Sequence, residues 1–304
     1  MKKLLLIISI FISCFCICSI FPEHATAVKR NAGDVAKLQK IVNAQHKSSL
    51  SKNVKTDKCY TWDKNGYLKS IEWDACGLSG SIKIPSFKKL KSIYIHDTTM
   101  LKVLKIANNK SLKSFVCYSN PFGRDEQDKN YGLNRLEIKG CHNLRHLAAG
   151  GNNKNSFKPD LSNYPELKHL SLELSYIKRL DLSKNKQLIN LNLADNNMET
   201  INLANNRKIK ELNLSNNKLN ALDISNLTNL RVLYCSNNQI PTLDLTNNKK
   251  LKELSCYNNK ITELDIHNCI KLQDYNVYPY NTIIHDVNVK IRKRAHNPAS
   301  WFYL

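Results

Sequence analysis

The sequence predicts one elongated solenoid of parallel strands stacked turn on turn, and three observations carry that prediction. Leucines recur in a fixed 21-residue frame: Leu230, Leu233, Cys235, Asn238, Ile240, Leu243, Leu245 and Asn248 are followed by Leu251, Leu254, Cys256, Asn259, Ile261, Leu264, Ile266 and Cys269. The same frame starts at Leu68, Leu90, Leu112, Leu144, Leu167, Leu188, Ile209 and Leu272, so about ten turns occupy residues 68–281. Such a period marks a repeat architecture, in which one turn cannot bury its apolar side alone and stacking supplies the core. Within each turn, positions one, four and six are apolar, while two, three, five and seven point outward, the alternation of a half-buried strand. With 304 residues and 42% hydrophobic content, the chain can build a sizeable core, spread as a long thin stack.

The elements follow in order. Residues 1–27 read as an export signal, with Lys2-Lys3 as a basic start, an apolar run from Leu4 to Phe21, and Ala25-Thr26-Ala27 as a small-x-small cleavage site. Eighteen apolar residues are also long enough to span a bilayer, but the cleavage site directly downstream favours removal. A second reading takes Ile12-Ser13-Cys14 as a lipoprotein box with Cys14 acylated. Both options resemble bacterial export. Removal of Lys2, Lys3 and Glu23 lowers the formal charge from +21 to +20, and no second apolar span follows. The mature protein is therefore expected outside the cytoplasm, secreted or at the cell surface.

Residues 28–67 are expected to cap the stack, since the first turn would otherwise expose its leucines. Asp34 is the expected N-cap of a helix with Val35, Leu38, Ile41 and Val42 on one face. In the repeats, Asn120, Asn152, Asn196, Asn217, Asn238 and Asn259 should turn inward and bond backbone groups of neighbouring turns. The second half of each turn, Leu-Asp-Leu-Ser-x-Asn, is too short for a true helix and predicts turns or extended segments. After Leu272 the frame degrades. Thr282 to Ile291 alternates Ile284, Val287, Val289 and Ile291 as a closing strand. Residues 282–304 thus form a C-terminal cap and tail, ending in Trp301-Phe302-Tyr303-Leu304, which either tucks onto the last turn or docks elsewhere.

Ten cysteines do not make a disulfide scaffold once placed. Cys14, Cys16 and Cys18 lie in the signal. Cys117, Cys235 and Cys256 take the inward sixth position, and Cys141 and Cys269 replace Asn, all as small buried apolar residues. Side chains in adjacent turns run parallel, which suits a disulfide poorly and offers too few ligands for zinc. Cys59 and Cys76 flank the first turn. An oxidising compartment would allow them to bridge, although Cys76 also fits a buried slot.

The pattern L-x-x-L-x-L-x-x-N-x-L resembles the leucine-rich repeat family over residues 68–281. That resemblance implies an α/β-type leucine-rich repeat solenoid, mainly parallel β with short convex turns, in a right-handed curved superhelix capped at both ends. The run from Cys59 through Trp62, Trp73, Cys76 and Gly77-Leu78-Ser79-Gly80 resembles the N-terminal caps of extracellular members. The cysteine column in Leu-Tyr-Cys235-Ser-Asn-Asn and Leu-Ser-Cys256-Tyr-Asn-Asn is similar to that of internalin-type bacterial surface proteins. The likeness implies a binding protein whose concave face recognises a protein partner, a host-cell surface protein among the candidates. The chain departs from that family in lacking an immunoglobulin-like spacer and a wall anchor after the repeats, which points to release as a free protein.

Two surfaces are candidates. On the strands, Tyr94, His96, Tyr118, His146 and His169 cluster on consecutive turns, and Ala148, Gly150 and Gly151 should leave a notch between them. Beside it, an inserted loop carries Arg124, Asp125, Glu126, Asp128 and Tyr131, and a smaller insertion covers 154–158. Tyr234, Tyr257 and Tyr278 form a second aromatic row on the last strands. The other surface is an edge. Position two reads Lys69, Lys91, Lys113, Arg145, Lys168, Ile189, Lys210, Arg231, Lys252 and Gln273, a basic ribbon with the opposite sign to the convex column Glu137, Asp160, Asp181, Asp223, Asp244 and Asp265. This ribbon is the alternative site, for an anionic polysaccharide or cell-envelope polymer, unless the lysines serve only solubility. Nucleic acid is not expected as a natural ligand, because no reader motif appears. The histidines lack a carboxylate or cysteine to complete a zinc site, no cofactor motif is present, and no catalytic motif is found, so an enzyme is not expected.

Overall fold

The computed structural model describes residues 29–46, 48–96, 100–118, 133–151, 160–277, 282–284 and 292–293, the last two segments by backbone only. Strands are numbered in chain order. The main sheet holds β1 (Tyr60–Trp62), β2 (Leu68–Asp74), β4 (Ser92–His96), β6 (Ser114–Tyr118), β8 (His146–Ala148), β9 (His169–Ser171), β10 (Asn190–Asn192), β11 (Glu211–Asn213), β12 (Val232–Tyr234), β13 (Glu253–Ser255), β15 (Asp274–Asn276) and β17 (Arg292–Lys293), adjacent in that order. Only β1 runs antiparallel, against β2; the remaining neighbours are parallel. From β9 to β13 the register keeps like position beside like position, pairing Leu170, Leu191, Leu212, Leu233 and Leu254 in one row. The opposite side carries β3 (Ser79–Ile84), β5 (Met100–Ala107) and β7 (Arg135–Lys139) as a three-stranded sheet, and β14 (Glu263–Asp265) with β16 (Thr282–Ile284) as a pair.

The core is the column of frame-starting residues. Leu68, Leu90, Leu112, Leu144, Leu167, Leu188, Ile209, Leu230 and Leu251 are each 0% exposed. Each contributes on the order of 1.5–3 kcal/mol by leaving water. Cys117, Cys235 and Cys256 lie in the same core, as do Cys141 and Cys269, and burial pushes the thiols of Cys235 and Cys256 up, that of Cys256 to about 12.

Stacking alone would strand the peptide groups between sheet and turn, and two asparagine columns solve this differently. Asn217 donates from Nδ2 to the carbonyls of Leu193, Leu214 and Ser215 at 2.9–3.2 Å, while its Oδ1 accepts the Met198 N–H at 3.0 Å. Asn196, Asn238 and Asn259 repeat the arrangement. Asn120 and Asn152 lie outside the described residues. In the second column, Asn185, Asn206 and Asn248 each donate to two carbonyls of the turn before, but among the described residues their Oδ1 atoms have no hydrogen-bond partner.

Helix α1 (Ala32–Asn43) buries Leu38, Ile41 and Val42 in the same core as the first turn. Its N-cap is Asn31, whose side chain accepts the Asp34 N–H at 3.0 Å, and not Asp34 as the sequence suggested. Asp34 is inside the helix and buried, and its Oδ2 accepts the Leu68 N–H at 3.0 Å, so the carboxylate serves the first strand of the repeats instead. Cys59 and Cys76 are free thiols hydrogen-bonded to one another, which holds the Cys59 thiol well above its ordinary value. Of the closing strand expected over 282–291, Thr282–Ile284 is a strand paired with β14 on the opposite side, and beyond it Arg292–Lys293 pairs with β15 in the main sheet. Residues 285–291 and the Trp301–Leu304 tail lie outside the described residues.

Candidate binding face

Positions three, five and seven of each turn stand on the outer side of the main sheet because strand side chains alternate. From β4 onward position three reads Ser92, Ser114, His146, His169, Asn190, Glu211, Val232, Glu253 and Asp274, and position five reads Tyr94, Val116, Ala148, Ser171, Asn192, Asn213, Tyr234, Ser255 and Asn276. Position seven reads His96, Tyr118, Gly150, Glu173, Ala194, Ser215, Ser236 and Tyr257. None is Lys or Arg, in a chain with 46 of them. The face is built from Tyr, His, Ser, Asn and a few acids.

The notch expected at Gly150 is closed. A Cβ on this buried glycine would lie 2.9 Å from the Tyr118 ring and 3.0 Å from the Glu173 carbonyl, so the glycine admits the tyrosine rather than leaving a gap. Tyr118 is accordingly a packed platform, not a free aromatic. Burial raises its phenol well above the usual value, against a hydrogen bond with Ser171 that pulls the other way. Among the described residues, a small recess lies beyond the platform, lined by His146, His169, Leu170, Ser171, Asn190, Leu191 and Asn192. The His146 and His169 rings meet edge-on with centroids 5.7 Å apart, and burial lowers the His169 imidazole below its ordinary value.

Glu173 was not anticipated. It is 6% exposed beside Gly150, and burial raises its carboxyl to about 7 although Asn192 Nδ2 donates to Oε2 at 2.8 Å. The signal was present in the frame: an acid at an outward position whose neighbour one turn earlier is glycine. Further along, Asn192 and Asn213 fold back to accept the N–H groups of Ala194 and Ser215, Ser236 and Ser255 share a 2.8 Å hydrogen bond, and Asn190 donates to Glu211. The middle of the face is thus a set of short polar side chains already fixed by their neighbours. Aromatic residues flank it: Tyr94 with His96 at 6.3 Å on one side, where His96 Nδ1 lies 2.9 Å from Asp74, and Tyr234 with Tyr257 on the other, where the Tyr234 hydroxyl donates to Glu253 at 2.6 Å. Tyr278 and the loop residues Arg124, Asp125, Glu126, Asp128 and Tyr131 lie outside the described residues, as does the 154–158 insertion.

At the edge, position-two residues form an unbroken backbone ladder: Lys91 N–H donates to Lys69, Lys113 to Lys91, Arg145 to Lys113, Lys168 to Arg145, Ile189 to Lys168, Lys210 to Ile189, Arg231 to Lys210, Lys252 to Arg231 and Gln273 to Lys252, at 2.7–2.8 Å. The acidic column on the opposite side has a local cause. Asp160, Asp181, Asp223, Asp244 and Asp265 each accept the N–H two residues on, at 2.8–3.0 Å, and these turn bonds hold their carboxyls below the usual range. Glu137 instead pairs with Arg135 and Lys105. Among the described residues, no group of three or more His, Cys, Asp or Glu side chains is placed to hold a metal ion, and no helix is long and apolar enough to cross a membrane.

This geometry defines a leucine-rich repeat solenoid fold. The fold is matched by the functional domain of InlJ from Listeria monocytogenes, described as including a cysteine ladder, at TM-score 0.52 and 22% identity, over 69% of this chain and 53% of that one. The chain therefore spans about half the length of that structure. An internalin, InlF, from the same organism aligns at TM-score 0.47 and 14% identity over 86% of this chain and 96% of its own, and the Leptospira interrogans leucine-rich repeat protein LIC12759 at 0.44 and 20% over 64% and 67%. Neither a family model nor a curated protein sequence matches. The internalin-like resemblance read from the repeats is thus borne out at the level of fold, and Cys235 and Cys256 stand buried in adjacent turns.

Proposed function

We propose that this is a secreted bacterial binding protein that recognises a protein partner through the outer face of its main sheet, with a host-cell surface protein as the class its internalin-like character suggests. The observation that carries the reading is the exclusion of Lys and Arg from that face in so basic a chain. Lysine is depleted from protein interfaces, whereas Tyr, Ser and Asn are the residues of adaptable paratopes. A middle fixed by turn-to-turn hydrogen bonds loses little entropy on docking. Tyr94, His96, Tyr234 and Tyr257 are the anchors, the His146–His169 recess receives a partner side chain, and Tyr118 on Gly150 holds the floor between them.

The test is binding of the purified chain to intact mammalian cells across a salt series, beside a variant carrying Tyr94→Ala, Tyr234→Ala and Tyr257→Ala. Binding that tolerates salt and weakens at least roughly tenfold in the variant is expected, since each buried aromatic anchor typically contributes more than 1 kcal/mol. Binding that collapses with salt and ignores the tyrosines would remove the face from consideration.

A further inference from the structure

Charge is sorted on this molecule more sharply than an abundance of lysine requires. If lysine served only solubility, the outer face would carry its share, yet the cations stop at position two and the adjoining positions three, five and seven hold none. The backbone ladder places successive position-two side chains about 4.8 Å apart along one line. Among the described residues the ion pairs are His96–Asp74, Lys105–Glu137, Arg135–Glu137 and His267–Asp265, and none involves this line. The carboxylates of the opposite side are occupied by their own turns.

The two halves of the line are not equivalent. Lys69, Lys91, Lys113, Arg145 and Lys168 are consecutive, and the position-three residues beside them are Ser70, Ser92, Ser114, His146 and His169. Further on, Ile189 interrupts the series, and Glu211, Glu253 and Asp274 sit next to Lys210, Lys252 and Gln273. The unbroken run of position-two cations is therefore confined to the first five steps, a length of about 20 Å, while Lys186, Arg207, Lys208, Lys249, Lys250 and Lys271 in the preceding turns add scattered cations to the second half.

We propose that Lys69, Lys91, Lys113, Arg145 and Lys168 form a binding site for a linear anionic polysaccharide, separate from the protein-binding face. A single straight line of cations fits one extended polymer with anionic groups along its length. A flat anionic membrane would press equally on the acids beside the second half. Nucleic acid fits poorly, because the line carries no aromatic residue on which bases could stack. The interaction is one of screened charges, so it weakens steeply as salt rises.

Three variants of the full chain, each losing four positive charges, would be compared for binding to heparin at one ionic strength. They are Lys91→Gln, Lys113→Gln, Arg145→Gln and Lys168→Gln; Lys210→Gln, Arg231→Gln, Lys252→Gln and Lys271→Gln; and, outside the line, Lys178→Gln, Lys184→Gln, Lys218→Gln and Lys260→Gln. All are exposed or half-exposed, so the fold should persist and thermal melts would verify it. The first set is expected to weaken binding at least roughly tenfold, and the other two by less than about threefold. Equal losses in all three would mean diffuse attraction by net charge and would overturn the site. So would loss of binding to phosphatidylglycerol vesicles with heparin binding intact, which would make the ligand a membrane. The tyrosine variant of the face should bind heparin unchanged, so the two proposals fail independently.

Discussion

The side of the solenoid away from the main sheet is built in two ways, and one sequence position separates them. Over β3, β5 and β7 it is a true parallel sheet, and the residue in question is Lys83, Lys105 or Glu137. From residue 160 onward the same position is Asp160, Asp181, Asn202, Asp223, Asp244 or Asp265, and the chain turns. A short acceptor that bonds the N–H two residues on takes that donor from a strand ladder and bends the backbone. Lys cannot accept, and Glu137 is engaged with cations, so the early turns keep their strands and lay β-branched residues such as Ile82, Ile84 and Ile106 against the core. Even β14, which ends on Asp265, is only three residues long. The repeat frame sets the main sheet, while one side chain per turn chooses the architecture behind it.

In the regular region, Asn217→Ala would strand the Met198 N–H and three carbonyls, at about 3 kcal/mol or more in a denaturant titration. Asn206→Leu should cost only about 1 kcal/mol, because that column uses Nδ2 alone and already accepts Leu227 one turn later. Equal costs would mean the two columns are not the different devices their bonds indicate.

At the junction between the regions, Glu173→Gln should stabilise the protein at high pH. With a folded value of about 7 against an ordinary 4.5, the carboxyl is protonated in both states below about pH 4.5. As pH rises from there to about 7 the unfolded chain ionises first, so stability falls, and above that the penalty is complete. Glutamine can still accept from Asn192, so the gain should reach up to about 3 kcal/mol at pH 8 and vanish at pH 4. Gly150→Ala should cost about 1–3 kcal/mol at any pH, since the new methyl meets the Glu173 backbone as well as the Tyr118 ring. A neutral result there would show that the tyrosine platform yields. Smallest is the turn itself: Asn202→Ala should cost about 0.5–1 kcal/mol, the typical loss for a capping acceptor, measured by thermal melt.

Much of the candidate site's placement was legible because outward positions are a matter of counting. Tyr94, His96, His146, His169, Tyr234 and Tyr257 stand on the face that the frame assigns them, and the position-two residues form the line it predicts. What counting missed depends on side-chain size and reach across turns. Gly150 looked like a gap and is the seat of Tyr118. Glu173 looked unremarkable and is buried by the neighbours that surround that seat. Asp34 carried an N-cap signal and instead reaches across to Leu68, because Asn31 comes first and leaves its carboxylate available.

The sequence by itself determined the solenoid, its period, the columns of buried leucine and asparagine, and the line of cations, since each follows from local repetition and the alternation of strand side chains. Only the tertiary structure decided which outward residues are open and which are packed, where the recess lies, and which carboxyl keeps its proton near neutrality. Those outcomes depend on contacts between residues about 20 positions apart or more, where volume and desolvation are set by the neighbouring turn and not by the residue's own.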